Sequence, residues 1–235
     1  MNNSSCIKNE RGAALFLLVL SLVFTFMIVL TSMPHISKKD LILIKNKSNS
    51  LSMNEIKTAL YGFVLTEGSS PGGLYRFPCP DVDGDGIEDF ISGNCAAQSG
   101  GLPWLTLSIS AYDTWQQNYL YHVSADFSDL SPSFSNASFS NTLIGEVSVF
   151  DSASLNTLLE NDIALLFLSK GEPHLNNSSH ELENLDTDTI YINRAQSQLS
   201  SNEFNDQLGW ISRSDAVKFL CDIAFQTEGL PNCPN

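Results

Sequence analysis

Apolar and polar positions are unevenly distributed along the chain, and their periods predict its elements. From Ala13 to Leu30 eighteen residues pass without a charge, with Ser21 and Thr25 as the only hydroxyls. As an α-helix rising 1.5 Å per residue this run reaches ~27 Å, nearly the apolar thickness of a bilayer, so hydropathy predicts a membrane-spanning helix. Beyond it, Ile36, Leu41, Ile44, Leu51, Ile56, Leu60 and Val64 recur at near-helical spacing, interrupted by the polar run Lys45 to Ser50, which is weak in helix formers. Ser52-Met53-Asn54-Glu55 reads as a capping box, which predicts that the helix restarts there and ends near Gly68.

The period then shortens. Leu143–Phe150, Ile163–Ser169, Thr189–Ile192 and Leu208–Ser212 are predicted strands, and the unbroken apolar run from Ile163 to Leu168 marks the most buried of them. The segments from Ala125 to Asn141 and from Gly171 to Asp188 lack a clean period and read as loops. Ser214 is placed to cap a last helix from Asp215 to about Phe225, with Val217, Leu220, Cys221 and Ala224 on one face. The pattern divides the chain into residues 1–12, a helical segment 13–68 and a globular α+β part 69–235 with one modest core.

Charge narrows the functional classes. The net charge of −14 leaves no basic patch for a nucleic-acid backbone. Of five cysteines, Cys6 precedes the apolar run, and Cys79, Cys95, Cys221 and Cys233 follow it as two sequence-local couples. Four cysteines allow three connectivities; Cys79–Cys95 and Cys221–Cys233 are favoured because each closes a short loop, on the order of 3 kcal/mol. Such pairing belongs to an oxidising compartment, the alternative being four free thiols. The cations point the other way. Lys38, Lys39, Lys45 and Lys47 outnumber Lys8 and Arg11, which by the positive-inside rule places the globular part in the cytoplasm. The cysteines are given more weight here.

The segment from Arg76 to Phe90, RFPCPDVDGDGIEDF, sets Asp81, Asp83, Asp85 and Asp89 at relative positions 1, 3, 5 and 9, with Gly86 at 6 and the Ile87 carbonyl at 7. Alternate carboxylates in a Gly-containing loop can converge on a hard cation, and four of them suit Ca²⁺ better than Mg²⁺. Ser92 holds the twelfth position, where an EF-hand has a bidentate Glu, so the loop is EF-hand-like at most. The other reading is an acidic solvated turn.

No catalytic constellation emerges. His180-Glu181 opens like a zinc-protease motif, but Asn184 stands where the second His belongs, and His35, His122 and His174 have no partner pattern. A nucleophile elbow, a phosphate-binding Gly loop and a C-x-x-C pair are all missing. The chain is expected not to be an enzyme. From Gly100 to Ser124 two Trp and three Tyr predict core packing with polar tips.

A short charged leader ending in Gly12, followed at once by an apolar helix, resembles the prepilin leader of type IV pilins and of the pseudopilins of type II secretion. The resemblance implies cleavage between Gly12 and Ala13 by a prepilin peptidase, with the helix kept as the new N-terminus. Pro34 then falls where many pilins carry a helix-bending proline. Leu17 occupies the fifth mature position, where Glu is usual. A second set of residues resembles a pilin-like family: Pro78 to Gly86, Cys95, Leu102-Pro103-Trp104, Leu107, Asp113, Trp115, Tyr121 and the segment from Asn205 to Ser212. Thr114 and Gln116 replace the Pro and Gly that often flank that tryptophan.

The family implies a pilin-like fold, in which a long N-terminal transmembrane helix packs on a small antiparallel β-sheet. It also implies a single-pass inner-membrane protein with its C-terminal domain in the periplasm. The expected role is a minor pilin or pseudopilin, and the missing carboxylate at Leu17 suits the tip. Implied partners are other pilins or pseudopilins, the prepilin peptidase, an inner-membrane assembly platform and a motor ATPase. The alternative is a membrane-anchored Ca²⁺-binding periplasmic or surface module that never polymerises.

Overall fold

A computed structural model describes residues 10–32, 37–66, 69–70, 74–129, 143–173, 178–186, 188–197 and 203–228. Pro34, Cys6, Cys233, His35 and His174 lie outside the described residues. In chain order the elements are α1 (Glu10–Ser32), α2 (Lys38–Thr66), β1 (Ser69–Ser70), β2 (Leu74–Tyr75), β3 (Phe90–Ile91), β4 (Asn94–Cys95), β5 (Ser99–Gly101) and β6 (Leu120–Val123). There follow α3 (Ala125–Ser128), β7 (Val147–Phe150), β8 (Leu158–Ser169), α4 (Ser179–Glu183), β9 (Ile190–Ile192), β10 (Gln207–Ser212) and α5 (Arg213–Glu228). Two compact units result, Met1–Ile42 and Leu43–Asn235.

In the first unit α1 forms where the apolar run predicted a helix. Its large side chains from Leu15 to Val29 are 51–70% exposed, and Ser21 and Thr25 return their hydroxyls to the carbonyls of Leu18 and Leu22. Among the described residues no helix is long and apolar enough to cross a membrane. This corrects the expected transmembrane helix, and with it the single-pass inner-membrane placement.

The second unit is a mixed α/β fold around a curled six-stranded sheet, in the order β5-β6-β8-β7-β9 with β10 on the other side of β8. This corrects the small antiparallel sheet of the pilin-like expectation, since β7 and β9 run parallel, with Val149 opposite Tyr191. The twelve residues of β8 exceed every other strand, so its second half pairs with β6 and β10 while its first half pairs with β7. Register shifts along β7 and at the end of β10, together with Asp162 at φ 56°, mark where β8 bends.

The predicted strands are all present with moved ends. The predicted break in the second helix is absent: α2 runs straight through Lys45 to Ser50 because Asn49 is inside, fully buried, with Oδ1 accepting the Tyr119 hydroxyl at 3.3 Å. Met53, Ile56, Leu60, Phe63 and Val64 continue that face into the core, where they meet Tyr121, Leu165, Phe167, Ile211, Val217 and Leu220. The opposite sheet face buries Val147, Val149, Ile163, Leu166, Leu168 and Tyr191. The continuous apolar run is therefore buried on both faces, as a central strand must be. The segment from Gly171 to Asp188, read as a loop, contains α4, closed by a capping box between Ser178 and Glu181.

Two glycines separate packing from propensity. A Cβ on Gly145 would lie 2.3 Å from the Asp162 carbonyl carbon and 2.5 Å from the Ile163 nitrogen, whereas one on Gly62, inside α2, meets nothing within 4 Å. Gly145→Ala is expected to destabilise the fold by about 2 kcal/mol or more, the cost of displacing packed backbone. Gly62→Ala is expected to stabilise it by up to about 1 kcal/mol through helix propensity. Denaturant melts of the two variants beside the parent would check both signs.

Candidate functional site

The site is built on the chain from Arg76 to Cys95, pinned at both ends. The buried Arg76 guanidinium makes two bonds to Glu88, 2.6 Å to Oε2 and 2.8 Å to Oε1, and lies 3.8 Å over the Phe90 ring. Glu88 Oε2 also accepts the Cys79 N–H at 2.9 Å, so one carboxylate ties the two sides of the loop together. Burial would make either charge costly alone, and the bidentate pairing removes that cost. The β3–β4 hairpin then returns the chain, with Ser92 and Gly93 at φ 55° and 94° in its two-residue turn. That geometry sets Cys95 beside Cys79, and the two form a disulfide with Cα atoms 5.3 Å apart.

Between these pins the acidic loop is wound by its own carboxylates. Asp81, 6% exposed, accepts the Gly84 N–H at 2.7 Å on Oδ1 and the Gly86 N–H at 2.8 Å on Oδ2. Asp83 accepts from Asp85 N–H, Asp85 from Ile87 N–H, and Asp89 from Val82 N–H at 2.6 Å. Gly86 is required twice, by its φ of 85° and because a Cβ there would lie 2.4 Å from the Trp104 ring. Trp104 therefore lies directly against the loop. The main chain of Asp81 pairs with Gly101 in both directions, at 2.9 and 2.7 Å, anchoring the loop to the end of β5.

Asp81, Asp83 and Asp89 each bring a carboxylate oxygen within 4.8 Å of the other two, the spacing of a shared cation. Asp85 does not join this group, because it is turned to the Ile87 N–H, and Ser92 is committed to the hairpin turn. A hard divalent ion in this oxygen-only set would be held by three carboxylates, with water completing its shell. The fit is partial. Each of the three already accepts backbone N–H groups, so the loop is held in shape by protein bonds alone.

The remaining predicted residues fall as follows. Gly12 and Ala13 lie within α1, and Leu17 is 64% exposed on it. Cys221 is disulfide-bonded on α5, and its predicted partner Cys233 lies outside the described residues. The turn at Trp115 is tight without Pro or Gly: Asp113 accepts the Trp115 and Gln117 N–H groups at 2.8 and 2.9 Å, and Gln116 takes φ 64°. His180 is not free at the surface, since Nδ1 accepts the Ala153 N–H at 3.0 Å. His122 is buried with Nδ1 3.1 Å from the Tyr191 hydroxyl, and desolvation lowers its pKa to about 4.

Two acidic groups were not foreseen. Glu183, Asp186 and Asp188 converge within 4.8 Å, and burial together with their mutual repulsion raises the pKa of Glu183; the E-N-L-D-T-D run was the available signal. No sequence signal marks Asp206, which lies 4% exposed and accepts the Asn184 amide at 2.8 Å. Burial, and secondarily the charge of Glu181, raises its pKa to about 7.

No family model matches the chain, and neither a curated protein nor a solved structure is similar to it. The pilin-like resemblance thus rests on the sequence motifs alone.

Asp206 sets a pH dependence whose sign follows from linkage. The unfolded chain releases this proton near pH 4 and the folded chain keeps it to about 7, so the folded state binds more protons between them and stability falls as pH rises through that window. Asp206→Asn keeps an acceptor for Asn184 and removes the buried charge. Its melting temperature is expected to match the parent near pH 4 and to exceed it increasingly up to pH 8, by several degrees. A constant difference across that range would assign the effect to packing instead.

Proposed function

We propose that this chain is a structural subunit of the minor pilin or pseudopilin type, assembled through its N-terminal helix. One observation carries the proposal: thirteen large apolar side chains from Leu15 to Val29 stand at least half exposed around α1. A helix that is apolar all round is stable when buried among other helices, and each such side chain gains about 1.5–3 kcal/mol on burial. Other pilin-like subunits supply that cover, after the prepilin peptidase has cut at Gly12–Ala13. An assembly platform and a motor ATPase are the remaining partners. Leu17 offers no carboxylate to a subunit above it, which suits a subunit that starts the fibre. In sheared fibres this protein is expected at few copies beside the main subunit, with fewer fibres formed when it is deleted. Abundance equal to the main subunit would reject the tip, and absence from fibres would reject assembly.

The same reading assigns Ca²⁺ to the Asp81, Asp83 and Asp89 loop, as a brace of the surface around it. Open access at Val82 and Ile87, which are 51% and 48% exposed, lets an ion reach the carboxylates. Calcium is expected to raise the melting temperature of the full chain and to change the fluorescence of Trp104, while magnesium at equal concentration does less. Asp83→Ala should abolish both responses. An unmoved melting temperature would leave the loop as a turn sustained by its own hydrogen bonds. If the loop binds calcium while the protein is absent from fibres, the non-polymerising calcium-binding module becomes the better account.

A further inference from the structure

A cleft of about 950 Å³ lies between α2 and the β10 side of the sheet. Phe167 and Gly209, paired across β8 and β10, both line it, so the cleft reaches over the sheet face. Gly209 leaves room for that reach: a Cβ there would lie 2.4 Å from the Phe167 ring, which closes over the bare strand as the floor. One wall is a stripe of α2 from Leu43 to Lys57, recurring every three or four residues over ~21 Å. Residues Asn193 to Gln196, which follow β9, form the other.

Fixed charge does not select an ionic occupant. Lys47 and Lys57 stand in the lining against Asp206 and Asp215, and Arg194 is already engaged with a partner. Cations and acids therefore balance, and a cleft without net sign favours a neutral ligand. Hydrogen bonding is more selective. Five amide side chains line the cleft: Asn46, Asn54, Asn193, Gln196 and Gln207. Asn46 donates to Gln196 and accepts from Gln207, which braces one end. The side-chain amides of Asn54 on α2 and Asn193 on the opposite wall make no hydrogen bond among the described residues. Asp206 adds a third open group: it is 4% exposed, its Oδ2 takes the Asn184 amide, and its Oδ1 accepts nothing among the described residues.

An amide holds an acceptor oxygen and two N–H donors in one plane, and a hydroxyl both donates and accepts. A buried acceptor such as Asp206 Oδ1 requires a donor, which an apolar ligand lacks. An extended peptide pairs along a strand edge, and a cleft that crosses the sheet face to Phe167 does not follow one. We propose that the cleft binds a neutral oligosaccharide, whose hydroxyls pair with Asn54, Asn193 and Asp206 while a C–H face of one ring rests on half-buried Trp210. The volume falls at the upper end of the ~300–1,000 Å³ of small-molecule sites, room for a chain of sugar rings. This inference does not depend on the pilin-like reading.

The probe is a panel of immobilised neutral hexasaccharides, built from glucose, mannose, galactose or N-acetylglucosamine, beside two anionic controls, an oligogalacturonate and a heparin fragment. Presented with the full-length chain, at least one neutral hexamer is expected to bind saturably, and the anionic controls at least tenfold more weakly. The double variant Asn54→Ala/Asn193→Ala, on residues outside the core, should lose affinity at least tenfold with an unchanged melting temperature. Failure of every neutral hexamer to bind, equal binding by the anionic controls, or full affinity in the double variant would each overturn the proposal. A display library of random octapeptides whose selected ligands lose affinity in the double variant, and are not displaced by any hexamer, would also overturn it, by making a polypeptide the occupant.

Discussion

The second unit depends on the burial of β8 on both faces. Its unbroken apolar run from Ile163 to Leu168 must be covered twice, and among the described residues helices cover only one side. There α2 and α5 supply Leu60, Val64, Val217 and Leu220. Among the described residues no helix contributes to the other face, whose cluster is made of strand residues: Val147 and Val149 from β7, Tyr191 from β9, and Leu208 and Trp210 packed beside them from β10. The sheet covers its own second face by curling. The bulges in β7 and β10, the bend at Asp162 and the close approach of Gly145 to the β8 backbone all follow from that requirement.

The acidic loop is organised on a different principle, a polar network in place of a core. Glu88 serves Arg76 and the Cys79 N–H together, and the Cys79–Cys95 disulfide closes the same segment covalently. With its ends fixed, the loop can afford three converging carboxylates, whose repulsion is offset by backbone N–H groups on Asp81, Asp83 and Asp89. Calcium would add to an arrangement already in place, which is why the expected effect is a stability increment and not a folding switch. Trp104 against Gly86 gives that increment an optical reporter.

Local signals in the sequence are legible where one interaction decides the structure. The run from Ile163 to Leu168, the helical face of Val217, Leu220 and Cys221, and the Cys79–Cys95 pair belong to that group. The break predicted between Lys45 and Ser50 failed because a tertiary contact, Asn49 with Tyr119, overrode weak local propensity. The parallel pairing of β7 with β9 was not legible, since nothing local separates it from an antiparallel neighbour. In the loop, residue spacing could not tell that Asp85 would bond the Ile87 N–H while Asp81, Asp83 and Asp89 converged. Hydropathy predicts a membrane span because it measures an apolar run and not what covers it, and among the described residues no helix is long and apolar enough to cross a membrane. The raised pKa of Asp206 arises wholly from burial beside Glu181 and had no signature in sequence.

The exposed apolar surface of α1 carries the proposed assembly role, which requires that the helix be retained and covered by other subunits. The most direct test is the intact mass of the protein isolated from cells with an active prepilin peptidase. The account predicts a chain that begins at Ala13, with Met1 to Gly12 removed and the helix kept. A chain that still begins at Met1, or one that has lost α1 altogether, would contradict it.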